Sequence, residues 1–239
     1  MPQSKIMVEI IPAIIPKDFH DLKDKMSQVV GLAPLVQIDV MDGKLTPKPS
    51  WPYLNSEDTD FVAIKKEEKE FPFWDQIDFE VDLMIKRPED VWFDWVIAGA
   101  KRIIFHIEST DNIGSLIKDF RSRLVSKDSA LYIGLGLALD IDTENDQIYP
   151  FVSELDFVQF MGIAQIGFQG EPFDERVILK IRELKEKFPE AVVSVDGGVN
   201  LESAPLLVEA GATRLVSGSA IFESDNIKNT IEELRKVGT

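Results

Sequence analysis

The chain has 239 residues, 44% apolar and 28% charged, enough to bury a sizeable core and unlike a disordered or coiled-coil chain. Its 42 acidic and 26 basic residues give a net charge of −16, which argues against nucleic acid or an anionic membrane as a partner, since either would need a basic face. No cysteine is present, so disulfides, thiolate metal sites and a cysteine nucleophile are excluded, and no run reaches the roughly 18 apolar residues of a membrane span. The start, Met1 to Lys5, lacks the basic and apolar regions of a signal peptide. A cytoplasmic protein is expected, and association into a homo-oligomer is left open.

Val8 to Ile15 reads as a first strand, and Pro16-Lys17-Asp18 opens a helix carrying Phe19, Leu22, Met26 and Val29 at helical spacing, closed by Gly31. Leu35 to Met41 is a second strand whose apolar run delivers Asp39 and then Asp42-Gly43, giving a first βαβ unit. The segment 44–78 is rich in proline and aromatic residues, and a helix is expected near Asp58 to Lys69. It is too apolar for a linker and reads as a partly folded cover over a site. Phe79 to Ile85 is a third strand, interrupted by Asp82, and a helix from Arg87 carries Val91, Trp92, Trp95 and Val96. Arg102 to Glu108 is a fourth strand, with His106 and Glu108 two apart and hence on one face as an interior pair. A helix from Asn112 to Leu124 follows.

Leu131 to Leu139 reads as strand five, with an acidic helix around Thr143 to Pro150, and Leu155 to Met161 as strand six. A glycine-bearing loop with Gly167 and Gly170 precedes an amphipathic helix through Val177, Ile181, Leu184 and Phe188. Ala191 to Asp196 is strand seven, Glu202 to Ala210 a helix, and Arg214 to Ser217 strand eight, with a last helix from Asp225 to Val237. Eight alternations of strand and helix over 1–239 give an α/β fold, a single (β/α)₈ TIM-barrel domain.

In a parallel barrel, polar residues are tolerated where strands emerge at their C-terminal ends. Asp39 and Asp196 stand at two such ends far apart in sequence, which points to one shared site. Gly197-Gly198 and Gly218-Ser219 follow strands seven and eight, where barrels build phosphate sites from backbone N–H groups and helix N-termini. The Gly167 to Gly170 loop is placed to close over such a ligand.

These residues resemble the ribulose-phosphate 3-epimerase family over nearly the whole chain. The resemblance rests on Pro12-Ala13-Ile14-Ile15, Asp39-Val40-Met41-Asp42-Gly43, Leu83-Met84-Ile85, Phe105-His106-Ile107-Glu108, Gly167 to Phe173 and Val195-Asp196-Gly197-Gly198-Val199-Asn200. It implies a ribulose-phosphate-binding barrel that epimerises C3 of a ketose phosphate, with Asp39 and Asp196 as the acid and base. Met41, Met84 and Met161 would then form an apolar floor under the reacting carbons. The family's two metal-binding histidines are replaced here by Gln37 and Asp82, and its Asn-Pro after strand five by Asp140-Ile141. Gln37, Asp39, Asp82 and Asp196 would offer a ring of oxygens, suiting Mg²⁺ or Mn²⁺ better than Zn²⁺, and the reading without any metal stands beside it. The alternative function is a non-catalytic sugar-phosphate-binding barrel that has lost its metal. Related barrel decarboxylases and aldolases are disfavoured, since their strand-two lysine would fall at Met41.

Overall fold

The computed structural model describes residues 8–54, 58–124, 129 and 132–238. Eight parallel strands, β1 (Glu9–Ile14), β2 (Leu35–Met41), β3 (Asp78–Met84), β4 (Arg102–His106), β5 (Gly134–Leu139), β6 (Phe157–Met161), β7 (Val193–Asp196) and β8 (Arg214–Ser217), pair in sequence order and close with β8 on β1. Around them run α1 (Phe19–Val29), α2 (Thr59–Lys65), α3 (Trp92–Ile97), α4 (Ile113–Arg123), α5 (Arg176–Lys187), α6 (Ser203–Ala210), α7 (Ser219–Phe222) and α8 (Ile227–Lys236). No helix among the described residues is long and apolar enough to cross a membrane. The expected start of strand five at Leu131 and the Met1 to Lys5 segment lie outside the described residues.

Local chemistry explains where elements begin and end. Asp18 accepts the backbone N–H of Asp21 and the Asp21 carboxylate accepts that of Lys17, so two orphan donors are satisfied as α1 starts. Asp58 caps α2 through Phe61 N, and Glu67, at φ 60°, ends that turn before the expected Lys69. The helix expected from Arg87 starts as a 3₁₀ turn at Pro88–Asp90 and becomes α-helical at Trp92. The acidic helix expected after strand five is instead two 3₁₀ turns, Asn145–Gln147 and Tyr149–Glu154. Pro150 has no N–H to give an α-helix, and Asn145 and Asp146 are weak helix formers.

Strand alternation divides the buried residues into two sets. Val36, Ile38 and Val40 of β2 face the helices and join the main apolar core with Leu22, Met26, Trp92, Trp95 and Phe120. Residues of the other parity fill the barrel. Glu9, Glu80, Arg102 and Arg214 form an ionic layer at its N-terminal end, Ile11, Ala13 and Val216 with Ile104, Ala138 and Phe157 fill its middle, and carboxylates emerge at its C-terminal end. The described part of the 44–78 segment packs on the flank through Trp51, buried against Phe19, Phe61 and Trp95. Near its start, Lys48 lies over the ring of Phe168 in the glycine-bearing loop.

Candidate active site

β2, β3 and β7 carry Asp39, Asp82 and Asp196 to the same end of the barrel, and one oxygen of each lies within 4.8 Å of the others. All three are buried. Gln37, one inward position earlier on β2, places Nε2 between two of them, donating to Asp39 Oδ1 at 2.8 Å and to Asp196 Oδ2 at 2.7 Å. Its Oε1 is buried with no hydrogen-bond partner. The expected ring of four oxygens is therefore three carboxylates, two of them, Asp39 and Asp196, joined by an amide NH₂. Two adjacent carboxylates need a donor, and the amide nitrogen supplies both bonds.

Asp82 is held from the other side. His106 Nε2 lies 3.0 Å from Asp82 Oδ1, and Gln159 Nε2 donates to Asp82 Oδ2 at 3.0 Å, with Ser194 Oγ donating to Gln159 Oε1 at 3.1 Å. The expected His106–Glu108 pair does not form as a hydrogen bond: Nδ1 and Oε2 are 3.8 Å apart. β4 ends at His106 and the chain turns through Ile107–Ser109, so the alternation that would align the two side chains stops there.

Burial first, then the charges of Asp196 and Asp82, raise the Asp39 pKa well above the usual carboxylate range, with the Gln37 bond opposing. Burial and the Asp82 charge push Asp196 up to about 7. Burial alone would lower His106, but the Asp82 and Asp140 carboxylates outweigh it and hold the imidazole well above its ordinary value. Near neutral pH the cluster thus retains a proton on the Asp39–Asp196 pair beside a cationic His106.

Asp39 and Asp196, but not Asp82, open into a cavity of about 170 Å³ lined also by Ala13, Met84, Met161, Gly198, Gly218 and Ser219. Met41 stands just behind that lining, in one apolar cluster with Met84, Met161 and Ile166. Gly167, Gly170 and Gly197 also line it. Gly198 has φ +68°, and a Cβ there would meet the Phe173 Cα at 2.7 Å; Gly218 has an ordinary φ, but a Cβ would meet Gln169 Nε2 at 2.7 Å. Gln169 reaches across to donate to the Ala13 carbonyl at 3.3 Å, laying the glycine-bearing loop over the cavity. At α6, Asn200 Oδ1 accepts Ser203 N while Ser203 Oγ donates to the Gly198 carbonyl, fixing the turn after β7.

Gln159, Ser194 and Gln169 do not stand out as site residues in the sequence alone. The first two had a legible signal, a polar residue at an inward position of an apolar strand. Gln169 had none, because its role depends on how the loop folds back.

A hard divalent cation fits the donors present: three buried carboxylates and, after a half-turn of the Gln37 amide, the partnerless Oε1 as a fourth oxygen.

The chain matches the profile of the Ribulose-phosphate 3 epimerase family over residues 9–222. Ribulose-phosphate 3-epimerase of Bacillus subtilis is 32% identical over 235 residues, covering 96% of this chain and 99% of that protein. The corresponding protein of Eremothecium gossypii is 30% identical over 230 residues, covering 95% and 91%. Among solved structures, a KGPDC from Streptococcus mutans aligns with a TM-score of 0.67 at 13% identity over 97% of each chain. 3-Hexulose-6-phosphate synthase from Salmonella typhimurium aligns with a TM-score of 0.64 at 16% identity over 96% and 97%. At such identities the structural likeness shows the TIM-barrel fold. The family profile and the two near-full-length relatives together show that the chain belongs to the ribulose-phosphate 3-epimerase family.

Proposed function

We propose that the protein epimerises C3 of a ketose phosphate, with Asp39 and Asp196 exchanging one proton across the substrate. The observation that carries this reading is the pair itself: two buried carboxyls opening into one cavity, held on either side of the Gln37 amide, with Asp196 pushed up to about 7. Epimerisation needs one carboxylate to take the C3 proton and one carboxylic acid to return a proton to the opposite face, and a pair that keeps one proton near neutral pH supplies both. After each turnover the two have exchanged protonation states, so the reverse reaction is equally served. The Gln37 donor and the cationic His106 behind Asp82 favour a net negative charge spreading over the site as the enediolate forms.

Asp39, Asp82 and Asp196, with Gln37, would hold a divalent cation, and the all-oxygen donor set favours Mg²⁺ or Mn²⁺ over Zn²⁺. Such an ion would supply Lewis-acid stabilisation of the substrate oxygens. Met84 and Met161 would form the apolar floor, with Met41 supporting it. The turn at Gly198 and the Ser219 and Ala220 N–H groups at the start of α7, ahead of Ile221 and Phe222 whose N–H groups bond the Gly218 carbonyl, would receive the phosphate. The partner is thus a phosphorylated sugar and the setting cytoplasmic carbohydrate metabolism, in keeping with the names of the relatives.

Incubation with D-ribulose 5-phosphate in D₂O tests the reading: deuterium enters at C3 and xylulose 5-phosphate accumulates. The alternative, a barrel that binds sugar phosphate without turnover, draws support from the Gln37 amide seated between Asp39 and Asp196, where it competes with a cation. Saturable binding of the sugar phosphate with no exchange, with and without Mn²⁺, would establish that alternative.

A further inference from the structure

Beside the three-aspartate cluster stands a second group of side chains, of which only His106 enters the reaction above, through the charge it presents to Asp82. His106 ends β4, Glu108 lies in the turn after it, and Asp140 follows β5. Three of their atoms converge: His106 Nδ1 is 3.8 Å from Glu108 Oε2 and 3.6 Å from Asp140 Oδ1, and all three atoms lie within 4.8 Å of one another. Each of the three is buried and has no hydrogen-bond partner. His106 itself is fully buried, so its Nδ1 faces the group with no access to bulk water, and an ion bound there would take the place of the proton that the imidazolium carries on Nδ1 in the metal-free protein. We propose that His106 Nδ1, Glu108 Oε2 and Asp140 Oδ1 form a second divalent-cation site of mixed nitrogen and oxygen donors, fitted to a Zn²⁺-like or Co²⁺-like ion.

The separations are too long for direct N–H···O bonds. They suit ligands arranged around an ion about 2.0–2.2 Å from each. The surrounding contacts orient every donor. Asp82 Oδ1 takes the other ring nitrogen of His106 at 3.0 Å, the carboxylate–histidine arrangement that turns Nδ1 towards a metal. Glu108 Oε1 is occupied by Asp140 N at 2.9 Å and by Thr143 Oγ1, leaving Oε2 to face the histidine. Lys180 secures the loop through the carbonyls of Asp140 and Thr143 and hydrogen-bonds neither carboxylate of the group. The Glu108 and Asp140 side chains keep 22% and 32% of their surface in solvent, which gives an ion its way in. One imidazole among oxygens separates this site from the all-oxygen cluster by donor softness, so the two sites would sort cations by type. The inference does not depend on the epimerase reading.

Co²⁺ alone, added to the chelator-stripped full chain, is the probe. Co²⁺ should bind with a visible d–d band of low-symmetry, nitrogen-containing coordination, distinct from that of any ion taken up by the all-oxygen cluster. Glu108→Gln and Asp140→Asn should each weaken it at least about tenfold, and Asp39→Asn should leave it unchanged. Imidazole ¹⁵N NMR of the wild type with Zn²⁺ provides a readout that needs no variant: the His106 Nδ1 resonance should move to a metal-bound position while Nε2 keeps its proton. The proposal is overturned if Nδ1 stays protonated at saturating Zn²⁺. It is equally overturned if no Co²⁺ binds, or if binding survives Asp140→Asn and Glu108→Gln but is lost in Asp39→Asn.

Discussion

The barrel buries two charged layers and balances them differently. At the N-terminal end Glu9 and Glu80 meet Arg102 and Arg214: Arg214 holds Glu80 at 2.6 Å and Glu9 at 2.6 Å, and Arg102 reaches both at 3.2 Å. Two carboxylates face two guanidiniums. At the C-terminal end Asp39, Asp82 and Asp196 face one imidazolium, His106, and an uncharged amide. Desolvation penalises the buried ions of both layers, Glu80 and Arg214 in the first, by several kcal/mol each, and only the first layer offsets it with a full complement of opposite charge. The second relieves the excess by keeping a proton. A buried layer with too few cations is where a proton can be moved at modest cost, and that is what distinguishes the working end of this barrel from its structural end.

The comparison is most directly stressed by removing charge from each layer. Asp39→Asn and Asp196→Asn should each lower C3 exchange roughly 10²–10⁴-fold. At about pH 8 their urea midpoints should hold or rise, because each variant removes a charge that burial disfavours. A loss of stability in step with the loss of exchange would mean that both layers are structural. At the other end Arg214→Met should cost up to about 3–5 kcal/mol in urea unfolding, since it leaves the buried Glu80 carboxylate only the longer Arg102 contact. A change within error would show that the paired layer is no better balanced than the reactive one.

The pH dependence separates the layers without a mutation. The folded-state pKa of Asp196 is raised from 3.8 to about 7, and that of His106 is raised as well. Folding therefore gains from these protons at low pH, and the gain is lost as pH rises through the folded values. The metal-free protein should be more stable at about pH 5 than at about pH 8, by on the order of a few kcal/mol. Asp196→Asn should flatten the trend. Stability rising with pH across this window would contradict the charge mismatch. The smallest effect is a control outside both layers: Asp18→Ala, which removes the α1 cap, should cost about 1 kcal/mol and leave the pH trend intact.

Much of this contrast is legible in the sequence. Strand-end aspartates after apolar runs place Asp39 and Asp196 at one end, and the spacing of strands and helices gives the barrel. The Arg102–Glu80–Arg214 layer is harder to read, because its members come from β3, β4 and β8 and only closure of the barrel joins them. The orientation of Gln37 and the turn that separates Glu108 from His106 are also hidden. Both involve partners far along the chain, Asp196 in one case and Lys86 and Arg87, which bond the Glu108 and Ser109 carbonyls, in the other. Where local pattern misled, at Thr143 to Pro150, a proline and weak helix formers outweighed acidic character.

The claim that the reactive layer holds a shared proton is tested most directly by ¹³C NMR of the metal-free protein labelled at the aspartate side-chain carboxyls. Asp39→Asn and Asp196→Asn spectra assign the two signals. The account predicts that at about pH 6 the Asp39–Asp196 pair still carries a proton, released in a coupled step near 7. Two signals already at the ionised position by about pH 5, as for ordinary carboxylates, would contradict it.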